Sequence, residues 1–144
     1  MLIKFSITNF LSFNDKQCFS MEAGKARKNS KRIYRNKNIK LTKCEVIFGA
    51  NASGKSNLVE AFQFVQDMVV DGLPRGFTNK YFRQIPANQS IPSSFKIELL
   101  LDNKHIVYEF SVLLKTGSIE EEHLYELTTS NQEKSIFYRN LKSS

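Results

Sequence analysis

The stretch "EVIFGANASGKSNLVEAF", residues 45–62, constrains this chain more than any other. An apolar run ends in Gly49, the pattern GxxxxGK[ST] is completed by Gly54, Lys55 and Ser56, and a helical period starts at once. Glycines let a backbone fold tightly and turn a row of N–H groups toward phosphate oxygens. A helix that begins there aims its unpaired donors and partial positive charge at the same anion. Lys55 would reach the β- and γ-phosphates as a point charge, and the hydroxyl of Ser56 would ligate Mg²⁺. The stretch therefore predicts a strand over 44–48, a phosphate-binding loop, and a helix from Ser56 to Val70. Leu58, Phe62, Val65 and Val69 form its apolar side, with Glu60, Gln63, Gln66 and Asp67 opposite.

The rest of the chain alternates with a period of two. Ile3, Phe5 and Ile7 share one face of a half-buried strand, and "QCFSM" pairs back as a short second one. Phe95, Ile97, Leu99 and Leu101 answer Ile106, Tyr108, Phe110 and Val112 across the turn "DNK". "SIEEEHLYEL" and "KSIFYRN" extend an antiparallel meander, the former with a short helix as its alternative. Residues 74–94 hold all three prolines and read as an irregular surface excursion. The fold class expected is mixed α/β, with 1–144 as one domain. Its parts are strands and a basic loop at 1–48, the phosphate loop and helix at 49–70, irregular chain at 71–94 and the β-meander at 95–144.

Charge is uneven. Between Ala23 and Cys44 there is no acidic residue, while Lys25, Arg27, Lys28, Lys31, Arg32, Arg35, Lys37, Lys40 and Lys43 crowd together. Such a run attracts phosphates of a nucleotide or nucleic acid, and the alternative is a solvated loop that aids solubility. Two cysteines far apart, Cys18 and Cys44, argue against a disulfide or zinc framework, and each is expected to pack as a small apolar residue. A reducing, cytoplasmic setting follows, with no apolar stretch long enough for a bilayer.

Hydrolysis of a nucleotide needs more than a cradle: a carboxylate to hold Mg²⁺ and a group to orient water. Asp102, closing "IELLLD", is the one candidate for the carboxylate, and it reads better as a hairpin-turn residue. His105, His123 and Glu120–Glu122 lack spaced partners and are read as structural. Guanine is disfavoured because no Asn-Lys pair is followed by the aspartate of NKxD. Tyr34 is the nearest ring that would stack on a base, with core packing as its alternative.

"IKFSITNFLSF" followed by "VIFGANASGKSNLVEAF" resembles the opening of ABC-type ATPase heads of the RecF/SMC group. The nearest resemblance is to bacterial AAA-labelled ATPases of the OLD-type and abortive-infection kind, and it spans nearly the whole chain. The resemblance implies an N-terminal lobe that binds Mg-ATP, with Gly49, Asn51, Ser53, Gly54, Lys55, Ser56 and Asn57 as the phosphate loop and Ser56 as the metal ligand. It matches Asn9–Phe13 to the turn after the first strand, with Leu11 where some relatives carry an arginine. It further implies heads that pair as a homodimer or higher oligomer around ATP, linked to DNA handling or to a nuclease domain or partner in phage defence. Walker B acids, signature motif and switch histidine belong to a second lobe, so no catalytic residue is expected in this chain. The competing expectation is a non-enzymatic nucleic-acid-binding module built on Lys25–Lys43.

Overall fold

A computed structural model describes residues 1–24, 30–36, 39–51 and 53–141. Six antiparallel strands make the main sheet: β1 (Leu2–Thr8), β2 (Gln17–Ser20), β5 (Ser93–Leu101), β6 (Lys104–Leu113), β7 (Ser118–Leu127) and β8 (Glu133–Asn140). Their order across the sheet is β2-β1-β5-β6-β7-β8. The chain thus leaves the sheet after β2, adds a small ribbon and one helix, and re-enters beside β1 to complete the meander. The ribbon is β3 (Ile33–Asn36) with β4 (Ile39–Thr42), and the helix is α1 (Lys55–Asp71). The fold is mixed α/β with an antiparallel sheet.

Helix α1 lies on one face of the sheet. Phe64, fully buried, is ringed by Phe10, Phe77, Phe95 and Phe110 at centroid distances of 5.4, 4.7, 4.9 and 6.3 Å. Phe5 stacks on Phe62 at 4.1 Å. The side of α1 that is buried is Ala61, Phe64, Val65 and Met68. Val69, expected on that side, is 62% exposed. Steps of three and four from Leu58 drift around the cylinder, and after Val65 it is Met68 that keeps to the sheet.

The β5–β6 turn is Asp102-Asn103, both with left-handed backbone (φ 47° and 64°), the geometry of a two-residue type I′ hairpin. Asp102 is therefore a turn residue. "SIEEEHLYEL" is strand β7 along its whole length.

Two expectations are corrected in the first third of the chain. The basic segment is not only loop: Tyr34 pairs with Leu41 and Arg35 with Lys40 in the ribbon β3–β4. Tyr34, Ile39 and Leu41 supply an apolar side, which packs on Ile3 and Leu100 away from α1. Tyr34 takes its core-packing alternative there. Lys25, Arg27, Lys28 and Lys37 lie outside the described residues.

Residues 44–48 are the second correction. They form no strand and no buried element: Val46 is 66%, Ile47 47% and Phe48 88% exposed. An apolar run becomes a strand only beside another strand, and residues 44–48 pair with none of the strands β1, β2 and β5–β8 of the main sheet. Cys18 and Cys44 are exposed free thiols rather than packed ones. No described helix is long and apolar enough to cross a membrane.

Candidate functional site

The loop 49–54 enters α1 through Gly54, whose φ of 88° lies in the left-handed region that glycine adopts without strain. A Cβ on Gly54 would sit 2.7 Å from Ser12 Oγ and 3.7 Å from the Phe13 ring; one on Gly49 would sit 2.6 Å from Ser53 Oγ. Gly54 is thus required by its left-handed backbone, with the turn that follows β1 against it, while a side chain at Gly49 would have to displace the Ser53 hydroxyl. No side chain caps the helix start, and its first turn carries no acid. The Leu58 N–H begins the helical ladder by donating to the Gly54 carbonyl at 3.0 Å. The N–H groups before it point out of the helix end.

Lys55 folds over the loop. Its ammonium donates to the carbonyls of Gly49 (2.7 Å) and Ala50 (2.6 Å) and to Ser53 Oγ (3.2 Å), one acceptor for each of its three protons. The Ser53 N–H donates to the Ala50 carbonyl at 3.2 Å. Gly49, Ser53, Gly54 and Lys55 are thereby brought into one cluster. Asn51 and Ser56 stand exposed at its margin, and Asn57 is half-buried on the first turn of α1.

The wall behind the loop is held by a residue whose role the sequence did not reveal. Asn9, 2% exposed and left-handed (φ 51°), donates from Nδ2 to the carbonyls of Asn88 (2.9 Å) and Ile91 (2.8 Å). Its Oδ1 accepts the Phe82 N–H at 3.1 Å, and its own carbonyl accepts the Ser93 hydroxyl. Every polar atom of this buried side chain is satisfied. Phe10 and Phe13 close the turn by exchanging backbone hydrogen bonds at 2.9 and 2.8 Å. Leu11 donates its N–H to the Lys80 carbonyl at 2.7 Å. Asn9 is thus a positioning residue for Ser12 and Phe13. Its signals in the sequence were an asparagine at the end of a strand, a residue type that tolerates φ > 0, and the resemblance that marks Asn9–Phe13 as a turn.

The remaining reactive side chains belong to the sheet. His105 Nε2 lies 2.9 Å from Glu98, and His123 lies 3.8 Å from Glu109 and 3.3 Å from Ser135 Oγ. Glu122 accepts from the Tyr108 hydroxyl (2.6 Å) and pairs with Arg139 (2.5 Å), and Glu121 accepts from Tyr138 (3.1 Å). Burial, and then the bond to Glu122, hold the Tyr108 phenol well above its ordinary range. Among the described residues no group of three or more His, Cys, Asp or Glu could hold a metal ion.

A mixed α/β domain whose helix starts at a glycine loop carrying a buttressed lysine defines the class: an ATPase-like domain. The family described as "AAA domain, putative AbiEii toxin, Type IV TA system" matches residues 46–144, and the chain belongs to that family, within the AAA/P-loop ATPases. A comparison with curated proteins gives no match.

Proposed function

We propose that this chain binds Mg-ATP through the loop Gly49–Asn57 as the Walker A half of an ABC-type ATPase head. The observation that carries the reading is left-handed Gly54 at the uncapped start of α1, walled by the turn after β1, with the Lys55 ammonium folded over the loop. A triphosphate there would take the first-turn N–H groups and compete with the Gly49 and Ala50 carbonyls for the Lys55 ammonium. Ser56 would hold the metal with its hydroxyl, and Asn51, Ser53 and Asn57 would line the anion. Bound Mg²⁺ would neutralise phosphate charge.

The exposed run Val46–Phe48 supports the second part of the proposal, that another lobe completes this head. An 88% exposed phenylalanine beside a candidate anion site is the kind of surface that a neighbouring sheet would cover. Groups that orient water and hold the metal's remaining positions would come from that lobe, and a link to abortive infection is part of the same reading.

Titration of Mg-ATP into the pure chain, followed calorimetrically, is the test. Weak binding that vanishes in Lys55→Ala, with circular dichroism unchanged, is the expected result. No heat from the wild type at millimolar nucleotide would remove the reading. Sustained hydrolysis by this chain, lost in Lys55→Ala, would overturn the half-site idea.

A further inference from the structure

We infer that the ribbon β3–β4 is a contact surface for the phosphodiester backbone of a nucleic-acid duplex, separate from the glycine loop. Adjacent strand residues point to opposite faces. Tyr34 and its partner Leu41 turn toward the sheet, so Arg35 and its partner Lys40 turn away from it, both exposed. Like charges directly opposite one another weaken a ribbon. Here that repulsion is not relieved: among the described residues neither side chain makes an ion pair or hydrogen bond, and the same holds for exposed Lys31, Arg32 and Lys43. Of the nearby acids, Glu22 pairs with Lys4 at 2.8 Å, and Glu45 accepts from the Thr42 hydroxyl at the base of the ribbon at 2.8 Å.

The charged face is also held still. Leu41 is fully buried, Asn36 Nδ2 donates to Asn103 Oδ1 at 2.6 Å, and the backbone of β4 bonds to residues 21 and 23 at 2.8 Å on its free edge. The Lys43 N–H donates to the Arg32 carbonyl at 3.0 Å, which puts these two residues at the base of the ribbon, with Arg35 and Lys40 toward its tip. The paired cations Arg35 and Lys40 suit a surface with one negative charge per ~1.7 Å of helix axis. A duplex fits better than a single strand, because the only aromatic ring of the ribbon, Tyr34, faces inward and offers no stacking platform. Phosphate contacts position a duplex without reading it, so binding through Arg35 and Lys40 should be indifferent to sequence.

Fluorescence anisotropy with labelled 30-mer duplex DNA, duplex RNA and single-stranded DNA, at graded KCl from 50 to 300 mM, tests the inference. The double variant Arg35→Gln/Lys40→Gln removes two contacts and should flatten the log–log salt slope by about 1.8, equivalent to roughly 60-fold weaker binding at 0.1 M salt. The equal-charge control Lys115→Gln/Lys134→Gln, in the β6–β7 turn and on β8, should leave the slope as it was, as should Lys55→Ala. Binding of either duplex with this pattern supports the inference and names the nucleic acid. Equal effects of the two double variants, binding lost in Lys55→Ala, binding of single strands alone, or no duplex binding at 50 mM salt would each overturn it. So would ribbon-dependent binding to vesicles of anionic lipid with none to duplexes.

Discussion

Asn9 shows how much one side chain can hold. Its amide closes two carbonyls from 88–91 and one N–H from 82, while its backbone sets the turn that walls Gly54. Asn9→Leu would leave those three groups unpaired, at about 1–3 kcal/mol each before any repacking. Urea denaturation should show the loss, and any nucleotide affinity should fall with it. Aspartate would keep the acceptor but lose the donors, and should rescue little. Tyr108 makes a milder prediction. Its phenol is held neutral by burial and by Glu122, so the fold favours the protonated form. That contribution is complete below the ordinary tyrosine value of about 10 and disappears as the pH rises through the raised one. Wild type should therefore lose stability on alkaline titration more steeply than Tyr108→Phe. At neutral pH that variant should be about 1 kcal/mol less stable, for want of one hydrogen bond.

At the scale of the element, the period-two runs and the helix were open to reading, because each has one face in a core and one outside. The strands β1 and β5–β7 alternate as such surfaces must, while β8 is exposed along its whole length, and the turn at Asp102-Asn103 carries the residue types that tolerate positive φ. The ribbon was not legible, since its inward Tyr34, Ile39 and Leu41 are interleaved with cations and the charge count spoke louder than the alternation. "CEVIF" was misread for the opposite reason: an apolar run states a need for cover without saying whether the cover is within reach. Of the candidate site, the glycines, Lys55 and Ser56 could be found by spacing alone. The Asn9–Phe13 buttress could not, because it meets the loop only through the fold. Helix α1 carries the clearest energetic prediction. Phe64→Ala would empty a site ringed by four phenylalanines and should cost about 3–5 kcal/mol, a large share of the roughly 5–15 kcal/mol by which a domain is stable, read as a lower urea midpoint. Val70→Ser, at a position 70% exposed on the same helix, should change stability by less than about 0.5 kcal/mol.

The molecule as a whole is lopsided. Its aromatic core lies between α1 and one face of the sheet, while Val46, Ile47 and Phe48 stand outside it. Replacing them by Val46→Thr/Phe48→Ser should lower binding of a hydrophobic dye and any self-association, and leave Tm within about 2 °C. A drop of 10 °C would show that the run is packed in solution after all.

The same arrangement separates being folded from being useful. Lys55 bonds only within its own loop, and the outer cations of the ribbon bond to nothing described. Variants there would express well, resist proteases and melt normally, and so would escape any screen that scores abundance or heat resistance. Damage at Asn9 or Phe64, by contrast, would be recorded by such a screen as simple instability. A survey of substitutions in this chain would need two separate readouts, because the residues that make it persist are not those proposed to make it act.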